Sequence, residues 1–465
     1  MVTLLRDHVS CDGNMVTQRR VTMPPFCAYS VKGTAMKRIA VVMALALALA
    51  AVGCGSGTLM GVPRNDSPSS IEKFETRTGK FSDDVAMLEK HGGVIVLSDA
   101  AGQAQVAVVP AFQGRVMTST AEGPGGRSFG WINFDLLRSG QTLQHMNPYG
   151  GEDRFWMGPE GGQFSIFFAK DAPFDLKHWS TPAVIDTKPF DVTSKSRTSA
   201  AFRQSFQLTN YSGTKFDVGV RREVRLLGAD EAWSKLGLAP KVGVKLVAFE
   251  SVNTITNAGK EPWQKDTGLL SIWILGMFNP SPETTIVIPI KPEKEFDLSP
   301  AVPPVKDDYF GKVPAERLVI KDNTVFFCAD GKYRSKIGIG PKFVKPVMGS
   351  YDAANKVLTI VQFTLPPDAK DYVNSMWKIQ DQPFAGDVAN SYNDGPPAPG
   401  EKPLGPFYEL ESSSPAAALE PGQSQEHVQR TIHLVGSETD LDAVAKKVLG
   451  VSLKDIAAAL AGKAK

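Results

Sequence analysis

From residue 93 to residue 434 the chain reads as short apolar runs broken by turns. Residues 93–99 (GVIVLSD) and 105–110 (QVAVVP), with Ala-Gly-Gln between them, predict a β-hairpin. Residues 215–225 (KFDVGVRREVR) alternate polar and apolar for most of their length, as a strand with one face in water does. Further strands are expected at 164–168, 200–208, 217–226, 244–257, 268–277, 284–290, 317–321, 324–328, 357–363, 407–412 and 426–434. Helical patterns are few. One is expected at 82–91 and one at 230–236; two more close the chain. Residues 439–450 open on Thr439 as a cap, carry first-turn carboxylates and end in Gly450; residues 452–460 repeat the scheme with Ser452. These last two are expected to pack through Val444, Val448, Leu449 and Ile456. Parallel strands need helix-sized crossovers, which the pattern rarely offers. The expectation is therefore a mainly β protein, a large antiparallel structure with two short C-terminal helices. No repeat of solenoid period is visible.

The N-terminal region sets the compartment. Met36-Lys-Arg-Ile39 opens a short positive segment, residues 39–52 are apolar, and Ala51-Val52-Gly53-Cys54 closes it. That is a secretory signal, too short for a comfortable bilayer span. Small residues before a Cys, with Gly-Ser-Gly after it, resemble a bacterial lipoprotein cleavage box, although Ala51 stands where Leu is usual. The resemblance implies cleavage before Cys54, a lipid on its sulfur, and a protein anchored to a membrane of the bacterial cell envelope, facing periplasm or exterior. Residues 1–35 hold Cys11 and Cys27 but no targeting pattern, and Met36 reads as the true start. Residues 54–70 form a tether, 71–435 the β domain and 436–465 a helical appendage. Cys328 is then the one other thiol in the mature body, so no disulfide framework is expected, and its apolar neighbours make it a buried structural thiol. The formal net charge is +2, with Lys and Arg spread along the chain and no basic stripe, which argues against nucleic acid. The 42 glycines and 33 prolines favour turns over long helices.

The densest candidate chemistry lies at 149–162 (YGGEDRFWMGPEGG), where three aromatic rings, an Arg and three carboxylates sit among five glycines. Strand interiors avoid glycine. Such a stretch suits backbone held close to something bound, with Trp156 stacking on a sugar ring and Arg154 offering a bidentate fork to hydroxyls or a uronic carboxylate. Its alternative is a glycine-rich loop packing its rings on the core. Residues 374–378 (NSMWK) and 391–395 (SYNDG) are polar and aromatic clusters between late strands. There Trp377, Tyr392 and Asn393 are placed to close a cleft, or 393–395 simply makes a turn.

Residues 407–415 (FYELESSSP), then 419–427 (LEPGQSQEH) and a strand to Leu434, resemble the C-terminal signature of galactose-mutarotase-like proteins. Residues 256–263 (TNAGKEPW) resemble that superfamily's central turn, and 150–162 its Arg-bearing sugar-site loop. The likeness is nearer to secreted bacterial members of undefined function than to classical aldose 1-epimerases. It implies a β-supersandwich and a carbohydrate ligand, with no cofactor. In a mutarotase a Glu takes the anomeric proton while a His protonates the ring oxygen, each with a pKa near working pH. Glu411 falls at the Leu-Glu position and is the implied base. Glu409, two residues away, shares its face in a strand, and repulsion between the two carboxylates raises the pKa of one of them. The acid departs from the pattern, because 268–278 carries Trp273 and no His. His145, before the glycine-rich loop, is the first candidate and His178, beside Trp179, the second. His427 and His433 share a face with Gln429 and Thr431, but six residues of strand span about 20 Å, too far for one metal ion. Three readings stay open: a carbohydrate-binding or carbohydrate-active lipoprotein, an epimerase using Glu411 with His145, and a glycan-cleaving enzyme using Glu152, Asp153, Glu160 and Glu411. Fold alone does not choose between them. The oligomeric state is not legible.

Overall fold

A computed structural model describes residues 79–292 and 303–461. The expectations for 1–78, including the signal, Cys54 and the tether, lie outside these residues. In chain order the first elements are α1 (Phe81–Gly92), β1 (Ile95–Ser98), β2 (Gln105–Val109), β3 (Arg115–Thr120), α2 (Phe134–Ser139), β4 (Arg154–Gly158), α3 (Ala183–Asp186), β5 (Asp191–Lys195), β6 (Ser199–Thr209) and β7 (Lys215–Leu226). Next come α4 (Ala229–Leu236), β8 (Lys245–Asn257), β9 (Ser271–Phe278), β10 (Thr284–Pro289), β11 (Leu318–Lys321), β12 (Thr324–Cys328) and β13 (Ser335–Ile339). The rest are β14 (Val347–Asp352), β15 (Val357–Phe363), β16 (Ala389–Asn393), β17 (Tyr408–Ser413), β18 (Ser424–Val435), α5 (Glu438–Val448) and α6 (Leu453–Ala459).

Among the described residues the strands form three antiparallel sheets. Ten strands run in the order β11-β12-β10-β14-β15-β18-β8-β7-β6-β5, five in the order β13-β16-β17-β9-β4, and β1-β2-β3 make a small third sheet. The large sheet is sandwiched. Its outer face packs Ala248, Tyr351, Leu358, Ile432 and Leu434 against α4, α5 and α6, through Leu441, Val444, Leu449 and Ile456. Ser437 and Ser452 cap the two C-terminal helices, each accepting from the backbone N–H three residues on. The cap of α5 is thus two residues before the expected Thr439.

The inner face of the large sheet meets the five-stranded sheet across two apolar clusters. Period-2 alternation assigns the faces. On β7, Phe216, Val218, Val220 and Val224 point in and are buried. Buried polar residues also lie between the two sheets. Arg222 and Asp153 form an ion pair at 2.6 Å with both side chains fully buried, and Ser251 Oγ donates to the other Asp153 oxygen at 2.8 Å. His427 lies 2.8 Å from Ser412 Oγ across the two sheets. Burial takes the His427 imidazole well down, to about 3, so it is neutral. Among the described residues no group of His, Cys, Asp and Glu is placed to hold a metal ion.

Two differences from the sequence reading have clear causes. Residues 164–168 (FSIFF) are not a strand; the Phe167 and Phe168 rings are core, and Phe168 makes an isolated bridge to Trp179. Conversely β3, β4, β5, β13, β14 and β16 were not expected. Gly and polar residues interrupt their apolar pattern because one face of β4, β13 and β16 carries charges and hydrogen-bonding groups rather than core.

Candidate functional site

The outward face of the five-stranded sheet gathers the site. In register, Lys336 pairs with Tyr392, Tyr392 with Glu409, Glu411 with Leu275, Leu275 with Arg154, and Trp273 with Trp156. Alternation puts all these side chains on one face, while Ile337, Leu410, Ile274 and Phe155 point to the core. Four strands from distant parts of the sequence, β13, β17, β9 and β4, therefore present Lys336, Glu409, Glu411, Trp273, Arg154 and Trp156 together.

Glu411 is fully buried. One of its oxygens accepts from Trp273 Nε1 and from Lys336 Nζ, both at 2.9 Å. Its other oxygen has no partner among the described residues. The Lys336 ammonium also lies 4.8 Å over the Trp273 ring. The Arg154 guanidinium stacks on Trp156 at 4.0 Å, and its Nη2 is 3.5 Å from Glu409. Trp156 meets Trp273 edge-on at 5.5 Å. Glu160, from the loop after β4, bonds Trp377 and faces the Lys336 charge.

The charges explain one another. Burial, then the Glu411 charge, pushes the Glu409 carboxyl up to about 8, against the pull of Arg154 and Lys336. Burial also raises Glu160. Burial alone would lower Lys336, but Glu411, Glu160 and Glu409 outweigh it and hold the ammonium above the usual lysine value. At neutral pH Glu409 is therefore largely protonated, while Lys336 keeps its proton.

A cavity of about 20 Å³ opens beside this cluster, lined by Glu160, Ser271, Trp273, Tyr309, Lys336 and Asp387 among others. That volume holds about one water. Nothing larger fits the cavity as it stands. Tyr309 donates to Asp387, which also takes Lys306 at 3.0 Å. Asp387 sits where β13 has Gly338; a Cβ there would lie 2.0 Å from its carboxylate.

The glycine-rich stretch is not the ligand loop it suggests. Its middle is strand β4. Gly150, at φ +96°, lets the chain pass the Trp131 carbonyl oxygen, 2.1 Å from where a Cβ would be, and Gly161 does the same against Met376. The close approach is to the protein's own backbone.

Arg154, Trp156, Glu409, Glu411, Glu160 and Trp377 thus come together, and other expected residues lie elsewhere. Glu152 and Asp153 face the interior, where Glu152 meets His433 and Ser119 and Asp153 meets Arg222. His178 is on an exposed loop, paired with Asp175 at 2.6 Å. The half-buried His145 ring has Nδ1 2.7 Å from the Trp179 carbonyl oxygen, and no hydrogen bond joins it to Glu409 or Glu411. Asn393 ties β16 to the turn at 330–333 through Asp330, Gly331 and Tyr333. Tyr392 is on the site face, but its hydroxyl donates to Asp394 and its ring packs on Phe407. Lys336, Trp273, Tyr309 and Asp387 were missed. The available signal was the alternation of 335–339 (SKIGI) between Gly331 and Gly340.

The sequence pattern of a family of unknown function, DUF6786, matches residues 79–460. The chain belongs to this family. No curated protein matches it. Solved structures similar to it include a candidate aldose 1-epimerase from Escherichia coli K12, at 13% identity and a TM-score of 0.44, covering 74% of this chain and 99% of that one. A galactose mutarotase-like protein from Lactobacillus casei is similar at 11% identity and a TM-score of 0.40, covering 74% and 100%. A galactose mutarotase related enzyme from Lactobacillus acidophilus is similar at 10% identity and 0.39, covering 74% and 97%.

Proposed function

We propose that the protein is a lipid-anchored, extracytoplasmic carbohydrate-binding protein, with the saccharide held on the outward face of the five-stranded sheet. One observation carries this reading. Arg154 Nε, Trp156 Nε1 and Glu411 Oε1 are buried on that face with no partner among the described residues. A buried polar atom left unpaired costs about 1–3 kcal/mol. Three on one face, from side chains otherwise fixed by stacking and ion pairs, fit a ligand whose groups both donate and accept. A sugar offers hydroxyls for these atoms and apolar ring faces for Trp156 and Trp273. The lipid anchor rests on the cleavage box ending at Cys54, and intact mass of the envelope-extracted protein tests it: a free Cys54 thiol removes that part.

Thermal melting against monosaccharides, their uronic acids and oligosaccharides tests the binding. A ligand that binds only the native state raises the melting temperature. The Glu411→Gln variant should lose that rise. A panel with no shift, or a shift that Glu411→Gln retains, overturns the reading.

An epimerase is a second reading, favoured by Glu409. Held up to about 8 beside Glu411, it supplies a proton donor near neutral pH where no histidine reaches the cluster. Polarimetry with glucose, galactose and their uronic acids decides it; absence of acceleration removes catalysis and leaves binding intact.

A further inference from the structure

A second cavity, of about 240 Å³, lies between the two large sheets. The ten-stranded sheet contributes the inward-facing Ser350, Thr359 and His433; the five-stranded sheet contributes Phe278 and Tyr408. Alternation separates it from the site above: Tyr408 points inward and Glu409 outward from the same strand. Its rim residues Arg127, Asp352 and Asn355 are half-exposed, so it opens to solvent.

The walls are fixed before anything binds. His433 is held at both ring nitrogens, Nε2 by Glu152 and Nδ1 by Thr359 Oγ1, each at 2.9 Å, and Phe129 stacks on the ring at 4.3 Å. Glu152 in turn accepts from the Ser119 backbone N–H at 2.6 Å. Both ring nitrogens of His433 are thus already engaged within the protein, which fixes the ring as part of the cavity wall. Ser350 Oγ and the Tyr408 hydroxyl lie 2.8 Å apart. Asp352 is already engaged by Ser281 Oγ and by Asn355 Nδ2. Two groups are left over. Ser128 lines the cavity and is 4% exposed, and its Oγ has no partner among the described residues. The Arg127 guanidinium at the rim has no ion pair among the described residues.

We propose that this cavity is a second binding site, taking a neutral polyol up to the size of a monosaccharide. Hydroxyls of Ser128, Ser350, Thr359 and Tyr408 each donate and accept, which is what a run of ligand hydroxyls requires. Phe129, Phe278 and the Tyr408 ring supply the apolar surface for its carbon skeleton. An anionic ligand would meet the carboxylate of Asp352 as well as Arg127.

Calorimetric titration with D-glucose, D-galactose, myo-inositol and D-glucuronate tests this, performed on the full chain carrying Glu411→Gln so that the outward face does not contribute. Saturable binding of at least one neutral polyol, at one per chain, is expected. Adding Ser128→Ala or Tyr408→Phe should weaken it about three- to tenfold, the loss of one hydrogen bond. Ser128→Ala removes a buried hydroxyl that has no partner, so the unliganded melting temperature should hold or rise and the variant reads binding rather than folding. No heat with any neutral polyol, equal affinity in both added variants, or preference for glucuronate overturns the proposal. Loss of carbohydrate binding at the outward face would leave it untouched.

Discussion

Replacing Glu409 by Gln should flatten the protein's pH dependence of stability. Glu409 is 6% exposed, and its carboxyl is pushed from 4.5 to about 8 by burial and the Glu411 charge. In the folded chain it holds its proton up to about pH 8; in the unfolded chain it loses it near pH 4.5. Between those values the folded state binds more protons, so stability is highest at the acid end, falls as pH rises through the window, and levels off above it. At about 1.36 kcal/mol per pH unit, the penalty for ionising this group is on the order of 5 kcal/mol across the window. Gln keeps the shape of the protonated acid and cannot ionise. Urea unfolding followed by tryptophan fluorescence at pH 5, 6, 7, 8 and 9 measures both proteins, and titrations common to the two cancel in the difference. Wild type should lose several kcal/mol relative to Glu409→Gln between pH 5 and 8. Parallel curves would refute the argument, because Glu409 would then ionise in the folded state as it does in water.

Breaking the buried ion pair should cost far more than a surface pair: Asp153→Ala leaves Arg222 buried and unpaired and should lower the unfolding free energy by about 3–5 kcal/mol, measured by the same urea titration. Gly150→Ala should leave little soluble protein, since the new Cβ meets the Trp131 carbonyl oxygen, whereas Gly213→Ala, also at positive φ but in open space, should cost only about 1 kcal/mol. Cys328, whose thiol burial pushes up to about 11, should react with a disulfide reagent at pH 8 only in denaturant; prompt reaction of one native thiol there would place it in solvent.

The hairpin β1–β2, the long strands β7, β8 and β18 and the two C-terminal helices were legible because alternation and capping are local. Each needs only a partner surface of ordinary apolar character. The site strands were not. Residues 389–393 (ANSYN) and 335–339 (SKIGI) look like loop because one face of each presents polar groups to the site. Trp273 was read as a missing histidine, when its indole N–H holds Glu411. The glycines of 149–162 correctly marked close approach, but a glycine does not say what approaches it.

By itself the sequence determined an antiparallel β body, its apolar and polar strand faces, and the shared face of Glu409 and Glu411, since all of these follow from a two-residue period. Strand order was decided only in three dimensions. It brought Lys336 within 2.9 Å of Glu411 and Arg154 within 3.5 Å of Glu409, while turning Asp153, the neighbour of Arg154, into the core against Arg222. Burial then set the charges: a carboxylate's pKa depends on which residues surround it, and those come from strands that are distant in sequence.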